Sequence, residues 1–261
     1  MLIGADGIHS KVREFVLGAA APTPVYGGSC TVSCFAPRER VVAPSPDFTF
    51  PAAVFTPAGL IMAVPVDPAG ATLAFGISEA LAEPKTRAGW AAYEASGAAV
   101  RAARAAYAHE RAQPVRSLVD AADDGAARLW APYGIPDLPA WHAGRVCLLG
   151  DAAHALPPNG QGSAMALEDA GVLARMLASE QAAGRGYAAL FAHYTAVRRA
   201  RVDVVKRLSK AAGVAKGRSG PWAWWAKKWL FWAFFTVWKG GVLKDTRLMG
   251  YDVDEEDIVV K

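Results

Sequence analysis

One stretch limits the fold of this chain more than any other. From Arg145 it reads Arg-Val-Cys-Leu-Leu-Gly-Asp-Ala-Ala-His-Ala-Leu-Pro-Pro-Asn-Gly-Gln-Gly-Ser-Ala-Met-Ala-Leu-Glu-Asp-Ala, ending at Ala170. The apolar run Arg145–Leu149 predicts a short buried strand, Gly150-Asp151 ends it, a Pro/Gly loop follows, and Ser163–Ser179 predicts a helix. In α/β sheets ligands lie outside the carboxyl ends of strands. Gly150 lets the backbone turn there and approach a ligand closely. Asp151 offers a fixed acceptor for a hydroxyl. Gly160 and Gly162 bare backbone N–H groups just before the helix, where the positive end of the helix favours negative charge.

The chain opens in a related way. Leu2-Ile3 reads as the end of a buried strand and Gly4-Ala5-Asp6-Gly7 as the turn after it. Ser10 caps a helix over Val12–Val16. A two-residue strand with nothing before it to pair with suggests a sequence that starts late relative to a complete fold. Further on, Val25–Ala36, Ala52–Val54, Leu60–Val66 and Thr72–Ser78 are strand candidates. In the first of these, Thr31, Ser33 and Phe35 alternate with Cys30, Val32 and Cys34. Residues 80–127 read as Ala-rich helices broken near Gly97 and Pro114. Tyr187–Ala215 predicts a long basic helix. A chain that is 53% hydrophobic and 20% charged has the material for a core. Its net charge of +4 does not argue for nucleic acid. Cys30 and Cys34 fall on one face of a strand about 13 Å apart, too far for a bridge. Three cysteines therefore fit a reducing, cytoplasmic compartment, and MLIGADG has no signal-peptide pattern.

Leu148-Leu149-Gly150-Asp151-Ala152-Ala153-His154, followed by Pro157-Pro158-Asn159-Gly160-Gln161-Gly162, resembles the second flavin-binding motif of the FAD-dependent aromatic hydroxylases. That group of flavoprotein monooxygenases is typified by p-hydroxybenzoate and salicylate hydroxylases. Asp6-Gly7-Ile8-His9-Ser10-Lys11-Val12-Arg13 resembles the family's D-G-x-x-S-x-x-R motif, and Tyr251-Asp252-Val253-Asp254 is similar to the tail of fungal members. The resemblance covers about residues 1–200. It implies an α/β (α+β mixture) fold: a partial Rossmann-like FAD-binding domain with an inserted β-sheet substrate domain and C-terminal helices. The implied parts are 1–16 and 141–180 for the FAD-binding domain, 17–140 for the substrate domain, and 181–261 for helices and an acidic tail.

The resemblance also implies roles. Asp151, with Gly150, holds the ribityl chain of FAD. Asp6, with Gly7 and Arg13, lies near the ribose and pyrophosphate. Pro157 and Pro158 pass beside the reactive edge of the flavin, and Gly160, Gln161 and Gly162 bring N–H groups to its pyrimidine side. The implied reaction is hydroxylation of an aromatic or cyclic small molecule, with NAD(P)H as reductant and O₂. The family's G-x-G-x-x-G loop is not found in these 261 residues. The nearest match, Gly160-Gln-Gly162-Ser-Ala-Met165, has Met in place of the third Gly or Ala. The sequence therefore reads as truncated, holding half of an FAD site: a fragment, a wrong gene start or a degenerate relative. The rival reading is a non-catalytic remnant or interaction module.

The other polar groups have plainer readings. His154 reads as a packing residue rather than a base. His9, His109, His142 and His193 have no metal-ligand spacing. Glu168-Asp169 reads as a solvated or locally paired charge inside its helix, and the Arg/Lys stretch 198–218 as a solvated helix face, with a membrane-surface or anionic-ligand role as the alternative. Residues 221–239 hold six of the nine tryptophans. Trp222–Trp238 spans about 25 Å as a helix, short of the ~30 Å needed to cross a bilayer. Two options stand: a helix packed on the protein core, the reading preferred here, and a peripheral membrane contact, favoured by Trp and Lys together.

Overall fold

The computed structural model describes residues 1–156, 160–179, 182–237, 250–256 and 258. In chain order the elements are β1 (Leu2–Gly4), α1 (Lys11–Leu17), β2 (Val25–Tyr26), β3 (Ser29–Pro37), β4 (Ala52–Thr56), β5 (Gly59–Pro65) and β6 (Thr72–Ala80). Then come α2 (Arg87–Ala95), α3 (Ala98–Tyr107), α4 (Val115–Asp120), β7 (Arg128–Trp130), β8 (Tyr133–Gly134), β9 (His142–Ala143) and β10 (Val146–Leu148). The remaining helices are α5 (Asp151–His154), α6 (Gly162–Ala178), α7 (Ala182–Lys216) and α8 (Pro221–Thr236). They form two compact units. The first comprises 1–26, 133–212 and 240–261, and the second 27–132 and 213–239.

The second unit is built on a five-stranded antiparallel sheet of order β4-β5-β6-β3-β7. Alternation along β3 places Cys30, Val32, Cys34 and Ala36 on its buried face, as a two-residue period requires. The register sets Val32 opposite Ile77 and Cys34 opposite Phe75. Ala99, Val100, Ala103 and Tyr107, spaced along one stripe of α3, close over that face with Leu118 of α4. Each large side chain buried here contributes about 1.5–3 kcal/mol. The other face, with Thr31, Ser33, Met62 and Gly76, is only partly covered. The single strand expected over Val25–Ala36 is two, because Gly27-Gly28 interrupts it and Gly28 takes φ 75°.

In the first unit, β1 and β10 pair in parallel, with Leu2 opposite Val146 and Gly4 opposite Leu148, and β9 flanks them. The pairing thus joins segments more than half the chain apart in sequence. Gly4 makes this approach tolerable: a Cβ on it would sit 2.7 Å from Val12 Cβ and 2.8 Å from Leu148 Cδ2. Helices α6 and α7 complete the core with Met165, Val172 and Met176 against Leu190, Phe191, Tyr194 and Val202. Gly186 (φ 75°, ψ 157°) breaks the helical backbone near the start of α7.

Two readings are corrected. Arg198 and Arg201 of the expected solvated face are buried, because they share α7's apolar stripe. The tryptophans of α8 are not packed into a core: Trp222, Trp225, Trp229 and Trp232 are all exposed, and no residue of α8 is buried. All three cysteines are free and buried. Burial pushes the Cys30 and Cys34 thiols to about 11 and Cys147 to about 12, so they stay protonated and inert at neutral pH.

Candidate functional site

The parallel pairing of β1 and β10 sends two acidic turns out from the same end of adjacent strands. After β1 come Asp6 and Gly7; after β10 come Gly150 and Asp151. Backbone bonds lock the strands together, with Leu2 N–H donating to Arg145 O (2.9 Å) and Leu149 N–H donating to Gly4 O (3.0 Å). Arg13 ties the turns to each other. Its buried guanidinium donates to Ile8 O (2.6 Å) and, across 139 residues, to Ala152 O (3.2 Å). Two motifs distant in sequence are therefore one structural feature.

The two carboxylates differ in what they hold. Asp6 is occupied: Ser10 Oγ donates to Oδ1, and the N–H groups of Lys11 (2.7 Å) and Val12 (3.2 Å) donate to Oδ2. It serves the N-terminus of α1 together with Ser10, whose Oγ accepts from Arg13 N–H. Partial burial pushes its carboxyl up, but these hydrogen bonds outweigh that and hold it below the usual range. Gly7 closes the turn by accepting from Ser10 N–H (3.0 Å). Asp151, at the first position of α5, is exposed and has no hydrogen-bond or ion-pair partner among the described residues.

Gly150 takes φ 60° and ψ −144°, a conformation that favours glycine. Its N–H donates to Asp169 Oδ2 at 2.7 Å. Gln161 is the N-cap residue of α6, and its side chain makes no capping hydrogen bond to that helix. A Cβ added to Gly160 or Gly162 would meet nothing within 4 Å, so there is room beside this backbone. Pro157 and Pro158 lie outside the described residues.

Asp169 is the residue that local reading misplaced. It is neither solvated nor locally paired. It is fully buried, accepting from Gly150 N–H and from His154 Nε2 (2.6 Å) on one oxygen and from Arg198 Nε (2.6 Å) on the other. Desolvation pushes its carboxyl up; the hydrogen bond and charge of His154, the charge of Arg198 and the Gly150 N–H outweigh this and hold it low. An ionised carboxylate only accepts, so His154 carries its proton on Nε2. That nitrogen is committed, and the ring is buried 5.1 Å from Trp141. Glu168 is likewise paired at long range, with Arg198 Nη2 (2.9 Å) and Arg201 Nη2 (2.8 Å). Tyr251 places its ring 5.2 Å from the Arg198 guanidinium and 4.5 Å from that of Arg201. A sequence signal for this network existed. Asp169 shares the helical stripe of Met165, Val172 and Met176, and Arg198 that of Leu190, Tyr194 and Val202. Opposite charges on two apolar stripes mark a buried pair.

A carboxylate exposed at a strand's carboxyl end with no partner among the described residues, a helix whose N-cap side chain makes no capping bond, and open glycines suit a ligand carrying hydroxyls and partial negative charge. FAD is such a ligand, and the residues present fit it. Residues 137–209 match the family model of an FAD binding domain. The chain is a relative of the FAD-dependent aromatic hydroxylases. It is 34% identical over 229 residues to salicylate hydroxylase of Pseudomonas putida, covering 82% of this chain and 51% of that protein. Among solved structures, a salicylate hydroxylase–substrate complex matches with TM-score 0.73 and 25% identity, over 99% of this chain and 64% of that one. A Klebsiella pneumoniae HpxO variant complexed with FAD matches with TM-score 0.68 and 26% identity, over 95% of this chain and 61% of that one. The chain spans about half the length of the curated relatives it matches.

Proposed function

We propose that these residues supply the ribityl-binding turn and the substrate-domain sheet of an FAD-dependent monooxygenase, which hydroxylates an aromatic or cyclic small molecule with NAD(P)H and O₂. Bound flavin supplies the redox chemistry, taking electrons from NAD(P)H and activating O₂. The protein's share is to bind, orient and exclude water. In this reading Asp151 accepts hydrogen bonds from the ribityl hydroxyls, and the first N–H groups of α6 favour negative charge on the flavin's pyrimidine side. Arg13 acts one step back, tying the two turns together, and Asp6 holds the start of α1. Residues 17–140 form the substrate domain, while 1–16 and 141–180 serve the flavin. The protein is read as cytoplasmic, with peripheral membrane contact through 221–239.

The observation that carries the flavin reading is the contrast between Asp6, whose carboxylate accepts three hydrogen bonds, and Asp151, whose carboxylate is exposed and has no partner among the described residues. The test is FAD titration of the wild type and of Asp151→Ala, with flavin fluorescence as the readout. Losing a charge-assisted acceptor is expected to weaken binding by about 1.5–3 kcal/mol, roughly ten- to a hundred-fold, and to leave thermal unfolding unchanged. Equal FAD affinity in the two proteins would remove Asp151 from the site.

A further inference from the structure

Helix α8 has two unlike sides. Trp224, Lys227, Phe231 and Phe234 are half-buried and fall on one stripe, with the Phe231 ring 4.5 Å from that of Phe55 in β4. At about 100° per residue, Trp222, Trp225, Trp229 and Trp232 lie about 150° round the helix from it. These four are between 51% and 86% exposed. Their rings touch in series, Trp225 to Trp229 at 6.3 Å and Trp229 to Trp232 at 5.7 Å. Leu230, Phe235 and Val237 are also more than half exposed. So large an apolar surface calls for an occupant.

Charge decides which occupant. From 204 to 244 the sequence has nine Lys and Arg and no Asp or Glu. Exposed Lys228 borders the tryptophan stripe, about 40° from Trp232. A second copy of the chain would bring this positive segment against its own like, which is unfavourable. No described helix is long and apolar enough to cross a membrane. Tryptophan rings lined by lysine are what a helix lying in the headgroup layer presents, and the positive charge matches anionic lipid. We infer that α8 lies in the surface of an anionic phospholipid bilayer, with Trp222, Trp225, Trp229 and Trp232 inserted among the headgroups and Lys228 at their edge. This rests on the membrane-contact part of the proposed function and is independent of the flavin.

The experiment uses the 261-residue chain with vesicles of phosphatidylcholine alone and of phosphatidylcholine mixed with phosphatidylglycerol. Co-sedimentation and the tryptophan emission maximum are read. The chain is expected to bind the mixed vesicles with a blue shift, and less at raised salt. Lys228→Gln should weaken binding about five-fold, the worth of one lysine at an anionic surface. The double variant Trp225→Ser, Trp229→Ser should weaken it about ten-fold or more, with thermal unfolding unchanged because both rings are exposed. Equal binding to both vesicle types overturns the anionic selectivity and leaves membrane contact standing. Binding to neither overturns both. A wild-type dimer in sedimentation velocity that the double variant abolishes assigns the stripe to a second copy instead. A fall in the double variant's melting temperature assigns it to packing within the chain.

Discussion

Arg198 Nε donates to Asp169 Oδ1 at 2.6 Å, and neither side chain is exposed to solvent. The pair joins α7 to α6 from within their apolar stripes. Its second carboxylate oxygen holds the Gly150 N–H, so the turn that carries Asp151 hangs on the same group. Arg198→Met is expected to cost about 3–5 kcal/mol, because it strands a buried carboxylate. Urea unfolding measures this. The double change Asp169→Leu with Arg198→Met should regain much of it, since both charges then leave together. A double variant as unstable as the single one would show that the pair contributes more than charge balance.

Asp169 also sets a pH dependence. Its folded-state pKa lies below the ordinary carboxylate value. The stability it contributes is therefore complete above the unfolded pKa, about 3.9, and lost as pH falls through the lower folded value. Wild type and Asp169→Asn should differ by a constant amount from neutral pH down to about 4 and converge only below it. Urea midpoints across that range test the window; convergence already near neutrality would contradict it.

Asp6 and Asp151 should respond to substitution in opposite ways. Asp6→Ala removes the acceptor for two N–H groups at the start of α1 and should lower stability by about 1 kcal/mol. Asp151→Ala should leave stability unchanged, because that carboxylate holds nothing among the described residues. Paired thermal melts of the variants without flavin make the comparison.

Two glycines should resist enlargement. Gly4→Ala drives a Cβ to 2.7 Å from Val12 and 2.8 Å from Leu148, and overpacking of that kind costs about 1–3 kcal/mol. Gly150→Ala meets Ala166 Cβ at 3.1 Å and a φ of 60°. It should both destabilise and disturb the Asp151 turn, lowering FAD affinity in titration in parallel with stability. Retained FAD affinity in a destabilised Gly150→Ala protein would separate the turn from the ligand.

The 261 residues alone should retain little FAD through purification, since no G-x-G-x-x-G loop within them offers N–H groups to the ADP pyrophosphate. The visible flavin spectrum of the purified chain reports this directly. A stoichiometric yellow protein would show that the ribityl half suffices.

What could be read without the structure was whatever is written in local periodicity and turn chemistry. The two-residue alternation of Cys30, Val32 and Cys34 identified the buried face of β3, since a pleated strand leaves no other arrangement. Gly97 and Pro114 marked the helix breaks of the Ala-rich segment, and the Gly150-Asp151 turn with its following helix marked the family. Tertiary structure alone decided what faces what. A carboxylate on an apolar helical stripe signals burial, but the sequence does not say which arginine on another helix it meets. Asp169 is ionised and buried only because Arg198, twenty-nine residues on, enters the same core. The tryptophans of α8 advertise burial by composition, yet only one stripe of that helix meets its unit, so Phe231 is packed while Trp229 is left to solvent. Parallel pairing of β1 with β10 likewise has no local signature, because the hydrogen bonds that make it run between segments about 140 residues apart. Local geometry repeats along the chain and can be counted; burial depends on which distant surface arrives, and only the folded molecule contains that.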